Sequence, residues 1–273
     1  MIYDDTQCQL GEGPLWHPLR KQLFWFDILG KRLHTKGQHW QFDTYVSAAG
    51  WTSESTLLIA SSTALMHFDI STGETEIITP LEADNPVTRS NDGRADPQGG
   101  FWIGTMGIDA EDGAGAIYRY HKGELRQLYP EITISNAICF APDGKTAYFT
   151  DTPTQQIMRV ALDDNGWPKG EPVLHIDLSR TPFRPDGAVV DAAGNLWNAQ
   201  WGVGRVAVYD PSGGFLESYN FAARQTSCPA FGGDDLQTLF CTSAAVGLEG
   251  PEQGKTFAVP TKAAGQAEHQ VIL

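Results

Sequence analysis

The sequence predicts an all-β fold: a six-bladed β-propeller of four-stranded antiparallel blades around a central channel, filling residues 1–273 as a single domain. Three observations carry this. Short β-branched or aromatic runs recur along the whole chain with no sustained i, i+3, i+4, i+7 apolar pattern between them, so helices should be few and short. The 29 Gly and 16 Pro residues fall between these runs rather than in one linker. Six comparable strands begin at Leu23, Leu57, Phe101, Ala147, Leu196 and Leu239, with steps of 34, 44, 46, 49 and 43 residues. A period of roughly 40–50 residues is that of a propeller blade, and six such units use up the chain.

The units can be read in order. The first has Glu12, a turn at His17-Pro18 and the strand Leu23-Phe24-Trp25. The second has an apolar stretch near Val46 and the strand Thr56-Leu57-Leu58-Ile59. Asn91, a turn at Asp96-Pro97 and Phe101-Trp102-Ile103 make the third. The fourth runs from Asn136 through Ala141-Pro142 to Ala147-Tyr148-Phe149, then Ile157-Met158-Arg159-Val160. Asp186, a turn at Asp191-Ala192, Leu196-Trp197 and Arg205-Val206-Ala207-Val208-Tyr209 follow as the fifth. The sixth, read back from its turn at Gly233, places Cys228 where the others carry Glu, Asn or Asp.

Glu12, Asn91, Asn136 and Asp186 each stand five residues before their turn. In a propeller the first strand of each blade lines the channel, so a residue just before it sits at the channel mouth. Any one of these four, taken alone, reads as a turn former or a surface acid. Their shared phase predicts convergence on one spot, and a set of carboxylate and amide oxygens suits a hard cation. Arg89 lies two residues before Asn91 and should share its face of an extended strand, while Ser90 and Asp92 should point away.

Charge narrows the partners. Lys and Arg number 19 against 33 Asp and Glu, a formal net charge of −14. Such a surface repels phosphate backbones and anionic membranes, so nucleic acid and membrane are excluded as expected partners. The amino terminus lacks a signal-peptide pattern and no apolar run approaches a membrane span. Cys8, Cys139, Cys228 and Cys241 show no CxxC spacing and read as buried thiols. The expectation is a reduced, cytoplasmic chain, monomeric or weakly homo-oligomeric. Gly202-Val203-Gly204 and Gly250 to Thr256 resemble nucleotide-binding loops, but strands follow where helices are required. Neither a GxSxG elbow nor an HExxH motif occurs.

The segments Leu10-Gly-Glu-Gly-Pro-Leu-Trp16, Arg89 to Pro97, Gly104-Thr-Met106, Ser135-Asn136 with Pro142-Asp-Gly144, Pro185-Asp-Gly187 with Gly194-Asn-Leu-Trp197, and Pro229 to Gly233 with Thr242-Ser-Ala244 resemble the SMP-30/gluconolactonase/regucalcin family. The likeness runs from about residue 10 to 260, with the motifs in order. It implies a six-bladed propeller and metal-dependent hydrolysis of a sugar lactone such as glucono-, xylono- or arabinonolactone. By this resemblance Glu12, Asn136 and Asp186 hold one divalent cation, with Ca²⁺, Mg²⁺, Mn²⁺, Zn²⁺ and Fe²⁺ all open. Arg89 and Asn91 hold the lactone, and Asp186 is also the catalytic acid/base. Some members carry a substrate-contacting acid three residues after Gly-Thr-Met; that position here is the shorter Asp109. Cys228 occupies a variable position. The alternative is a non-catalytic calcium- or metal-binding regulatory propeller of the regucalcin type. Arg89 speaks against it, because a purely structural ion needs no guanidinium beside it. A protein-interaction propeller fits the acid-amide cluster least.

Overall fold

The computed structural model describes residues 1–273. Twenty-four strands form six four-stranded antiparallel sheets, and the only helical element is the 3-10 turn Thr152–Thr154. Five blades use consecutive strands, their innermost being Gly11–His17, Val46–Trp51, Thr88–Ala95, Ser135–Phe140 and Arg184–Val190. The sixth uses Gln225–Gly232, Thr238–Ala244 and Thr256–Pro260, and takes its outermost strand, Ile2–Asp4, from the amino terminus. Ile2 pairs with Phe257, so the two ends of the chain close the ring together. Nothing in the sequence pattern announces this strand, since three residues are too few to display alternation.

Burial falls from the axis outward. Ser135–Phe140 is buried at every position, whereas Phe215–Asn220 is exposed or half-buried throughout. Inner strands are covered on both sides by neighbouring blades, so Val46–Trp51 reads as a small-residue run, whereas Thr88–Ala95 buries polar side chains near the axis. The core lies between blades rather than in one centre. Leu15, Phe24 and Leu33 pack on Leu57 and Phe68 across the first gap. Trp102 meets Phe140 edge-on at 5.6 Å across the third, and Trp197 meets Phe231 at 5.0 Å across the fifth. Each aromatic after a turn thus seals a seam, and truncating one to Ala would cost about 3–5 kcal/mol.

The turns have a mechanism too. Asp96 Oδ1 accepts the backbone N–H of Gln98 and Gly100, while its Oδ2 accepts Arg119 Nε at 2.6 Å inside the protein. Asp191 repeats the pattern, accepting from Ala193 N, Asn195 N and the Trp197 indole. These aspartates hold the end of the inner strand opposite the candidate site.

Every innermost strand contains a one-residue bulge at the same level: between Glu12 and Leu15, Val46 and Ala48, Ser90 and Gly93, Asn136 and Cys139, Pro185 and Ala188, and Thr226 and Pro229. The four phased residues lie at or within these bulges, inside the strands rather than just before them. Gly13 and Ala137 take left-handed φ values of 50° and 56° there. A bulge bends the strand and re-aims its side chains, which here turns them to the axis.

Residues 261–273 form a strap across the far end of the channel. Gly265 N–H reaches Leu236 O, Gln266 Nε2 donates to Phe140 O and Val190 O, and Val271 N–H reaches Trp51 O. Glu268 enters the ring and pairs with the buried Arg94. The channel is therefore open at one end and plugged at the other. No helix is long and apolar enough to cross a membrane.

Candidate active site on the propeller axis

At the open end the inner strands enclose a cavity of about 310 Å³. Glu12, Arg89, Asn91, Asn136 and Asp186 form its floor, and all five are at least nine-tenths buried. The convergence expected from their repeat phase is what the structure contains. Leu10, Met106, Ile134, Pro153 and Val246 supply the apolar wall, with Arg184 and Trp201 beside them.

A hydrogen-bond chain fixes the floor. Arg89 Nη1 donates to Ser90 O at 2.9 Å and to Asn91 Oδ1 at 2.8 Å. Asn91 Nδ2 donates to Ser135 O at 2.8 Å and, more weakly, to Asn136 Oδ1 at 3.3 Å. Asn136 Nδ2 donates to Thr152 Oγ1 at 2.9 Å, and that hydroxyl donates onward to Pro185 O. The two amides are thereby told apart. Asn91 has its oxygen committed to Arg89, whereas the nitrogen of Asn136 is committed to Thr152 and its oxygen accepts only the long bond from Asn91. Thr152, which orients Asn136, stands out in no sequence pattern.

Electrostatics on the floor are lopsided. Burial pushes Glu12 up to about 8, with the Asp92 charge adding to it and the Gly13 N–H and Arg89 opposing. Burial, then Glu12 and Asp92, raise Asp186 well above the usual carboxylate range. Arg89 is lowered to about 10 by its own desolvation. Neither Glu12 nor Asp186 is in a salt bridge, so one guanidinium faces the two carboxylates and Asp92 below them.

Asp92 corrects the two-residue alternation expected of this strand. It does not point clear of the channel, because its charge acts on Glu12, Asp186 and Cys228. The bulge after Ser90 breaks the alternation, and Asp92 Oδ2 accepts Ile138 N–H at 2.7 Å on the next inner strand. Ser90 does point away, bonding Ser47 Oγ and Ala60 O. Asp109 is a second correction: it is exposed and absent from the cavity lining. The turn after Gly107 folds Glu111 back so that its Oε2 accepts Asp109 N–H at 3.1 Å, away from the cavity. Cys228 does occupy the corresponding slot of blade six, where its thiol is buried and raised well above the usual thiol range, mainly by desolvation.

Cys8, Asp27 and His34 form another buried group of ligand-type atoms, within 4.8 Å of one another. Asp27 accepts the backbone N–H of Gln9, Leu10 and Gly30. Its carboxylate thus anchors the segment that leads into Leu10 and Glu12.

Six blades around an axial cavity floored by carboxylate and amide oxygens define a propeller built to hold a small polar ligand. The model of the SMP-30/gluconolactonase/LRE-like region matches residues 10–245, and the chain belongs to this family. A solved calcium-binding protein of Agrobacterium tumefaciens named regucalcin is 41% identical, with a TM-score of 0.97 over 100% of this chain and 97% of that one. A 6-deoxy-6-sulfogluconolactonase of Pseudomonas putida is 32% identical over 95% of this chain and 94% of its own. An L-arabinolactonase of Azospirillum brasilense is 34% identical over 96% and 92%.

Proposed function

We propose that the protein hydrolyses a sugar lactone to the free sugar acid, with one divalent cation held by Glu12, Asn136 and Asp186. The observation that carries this is the pair of buried carboxylates, without a salt bridge, converging with an oriented amide oxygen at the floor of a cavity. That donor set fits a hard dication, whose charge would offset the burial penalty, and the repulsion added to it, that raise both acids. Bound there, a dication would polarise a lactone carbonyl and make a water more acidic.

The remaining steps belong to the chain. Arg89 has Nη1 tethered and its other N–H groups free to grip hydroxyl or carbonyl oxygens of the lactone, with Asn91 locking the guanidinium plane. The apolar wall limits water to the polar floor. Asp186 takes the proton of the attacking water as the C–O bond forms. It returns that proton to the ring oxygen as the ring C–O bond breaks, so atoms and charge balance. Relatives named for lactonase action at 32% and 34% identity support the substrate class.

A calcium-binding, non-catalytic role is the second reading, favoured by the regucalcin at 41% identity. A tethered arginine beside the carboxylates favours the enzyme. The experiment is calorimetric cation titration with Ca²⁺, Mg²⁺, Mn²⁺, Zn²⁺ and Fe²⁺, paired with lactone turnover before and after chelation. Glu12→Gln should weaken cation binding strongly, since it removes a negative ligand. Asp186→Asn at saturating cation should regain occupancy yet remain roughly 10²–10⁴-fold slow. Full recovery of rate would make Asp186 a ligand only, and cation binding without turnover of any lactone would favour the regulatory reading.

A further inference from the structure

The cavity wall is unbalanced in a way that names its ligand. Thr152 both accepts and donates internally, and the amide nitrogens of Asn91 and Asn136 are committed below it. Above the floor the wall is Leu10, Met106, Ile134, Pro153 and Val246. Two polar groups remain there, the Arg184 guanidinium and the Trp201 indole N–H, and neither has a partner within the protein. Both are donors that cannot accept. A neutral polyol end offers hydroxyls that need acceptors as well as donors, and the side chains of this wall offer only the remaining lone pair of Thr152 Oγ1. An oxyanion needs only donors and a positive charge.

Placement agrees with composition. Arg184 and Trp201 are directly paired at the open end of blade five, half-buried tryptophan against exposed arginine. Arg184 precedes Asp186 by two residues on one strand, a rise of roughly 6–7 Å. A lactone whose carbonyl sits at the floor would carry the far end of its carbon chain to that level. Arg89 is buried and tethered at the floor, whereas Arg184 is untethered and free to close on a ligand. On a chain of net charge −14, an arginine here also offers an approaching anion local attraction within a Debye length of about 8 Å.

We propose that the cavity selects sugar lactones with an anionic group, carboxylate, sulfonate or phosphate ester, at the end of the chain remote from the carbonyl. Arg184 is the specificity-determining residue, and Trp201 donates beside it. This rests on the lactonase reading for its chemistry but not for its binding.

The test compares gluconolactone, gluconolactone bearing a terminal phosphate ester, and glucarolactone, whose terminal carbon is a carboxylate. Wild-type protein should prefer both anionic lactones in kcat/KM, with the difference mainly in KM and shrinking with added salt. Arg184→Gln should cut the anionic-to-neutral preference about 10–100-fold, the scale of a charge-assisted hydrogen bond. Arg184→Lys should restore part of it, because charge survives while the planar fork does not. A wild-type preference for the neutral lactone, or a preference that Arg184→Gln leaves intact, overturns the proposal. A response to the phosphate ester alone narrows the oxyanion and supports it. Calorimetry with the corresponding open-chain acids separates the two readings. Arg184-dependent binding of the acids that carry the terminal anion, without any turnover, removes the lactonase reading and keeps the anion site. Binding that is indifferent to Arg184 removes the site whatever the turnover.

Discussion

Asp92→Asn tests whether the axis really carries a buried third carboxylate beneath the floor. Asp92 is 4% exposed and its carboxyl is pushed from the ordinary 3.8 to about 6, chiefly by burial; the Ile138 N–H, Arg94 and the Gly93 N–H hold it down only partly. The folded-state value lies above the unfolded one. Its favourable contribution is therefore complete below pH 3.8 and lost as pH rises towards 6, because the folded protein retains a proton that the unfolded chain has released. A gap of about two pH units corresponds to about 3 kcal/mol against folding at neutral pH. Asparagine keeps an oxygen for Ile138 N–H but brings two buried donors, so the net gain at pH 7.5 should be about 1–3 kcal/mol. The assay is urea and thermal denaturation of both proteins with chelator present, from pH 4 to 7.5. The stability difference, variant minus wild type, should grow by up to about 3 kcal/mol across that range. Identical pH slopes, or a variant less stable at pH 7.5, would refute the claim that Asp92 holds an underpaid charge there.

Two more perturbations address the frame around the site. Glu268→Gln strips the strap of its charge and leaves Arg94 with Asp92 as its remaining acidic neighbour, so stability should fall by about 1–3 kcal/mol; denaturant midpoints unchanged by the substitution would mean the strap is ornamental. A Cβ at position 187 would touch Cys228 Sγ and stand 2.6 Å from Cys228 Cβ and 2.9 Å from its Cα. Gly187→Ala should therefore cost about 1–3 kcal/mol and weaken cation binding by displacing Asp186, with Cys228→Gly in the same chain recovering part of both. Calorimetry showing wild-type affinity in Gly187→Ala would uncouple the two neighbours.

Much of the frame was legible because the repeated unit is short and strongly marked. Second strands expected to begin at Leu23, Leu57, Phe101, Ala147, Leu196 and Leu239 occur as Gln22–Asp27, Thr56–Ser61, Phe101–Gly107, Thr146–Asp151, Leu196–Trp201 and Thr238–Ala244. Each follows a turn and is buried between blades, so hydrophobicity and punctuation report the same boundary. Outer strands such as Gln38–Gln41 are largely exposed and carry no such signal. The closing strand Ile2–Asp4 and the strap exist through contacts with distant blades, some of them more than two hundred residues away in sequence, which no local period encodes. Phase also located Glu12, Asn91, Asn136 and Asp186 together, but it could not separate Asn91 from Asn136. That distinction lies in who holds each amide: Arg89 in one case, Thr152 in the other.

The bulges explain both the success and the failures at the site. Because every inner strand carries one at the same level, residues in matching phase reach the axis together, and counting back from the turns finds them. Because a bulge adds a residue, alternation fails across it, and Asp92 appears beneath the floor instead of outside. The charge order along the axis follows from this: carboxylates and Arg89 at the open end, Asp92 below, then Arg94 capped by Glu268 at the plugged end. Arg94 is paired with Glu268 and helps to hold Asp92 down, so it is not free to neutralise the acids at the top. Glu12 and Asp186 therefore face the end of the channel that opens to solvent, whereas the Asp92 charge lies below them, held only partly by Ile138 N–H and Arg94.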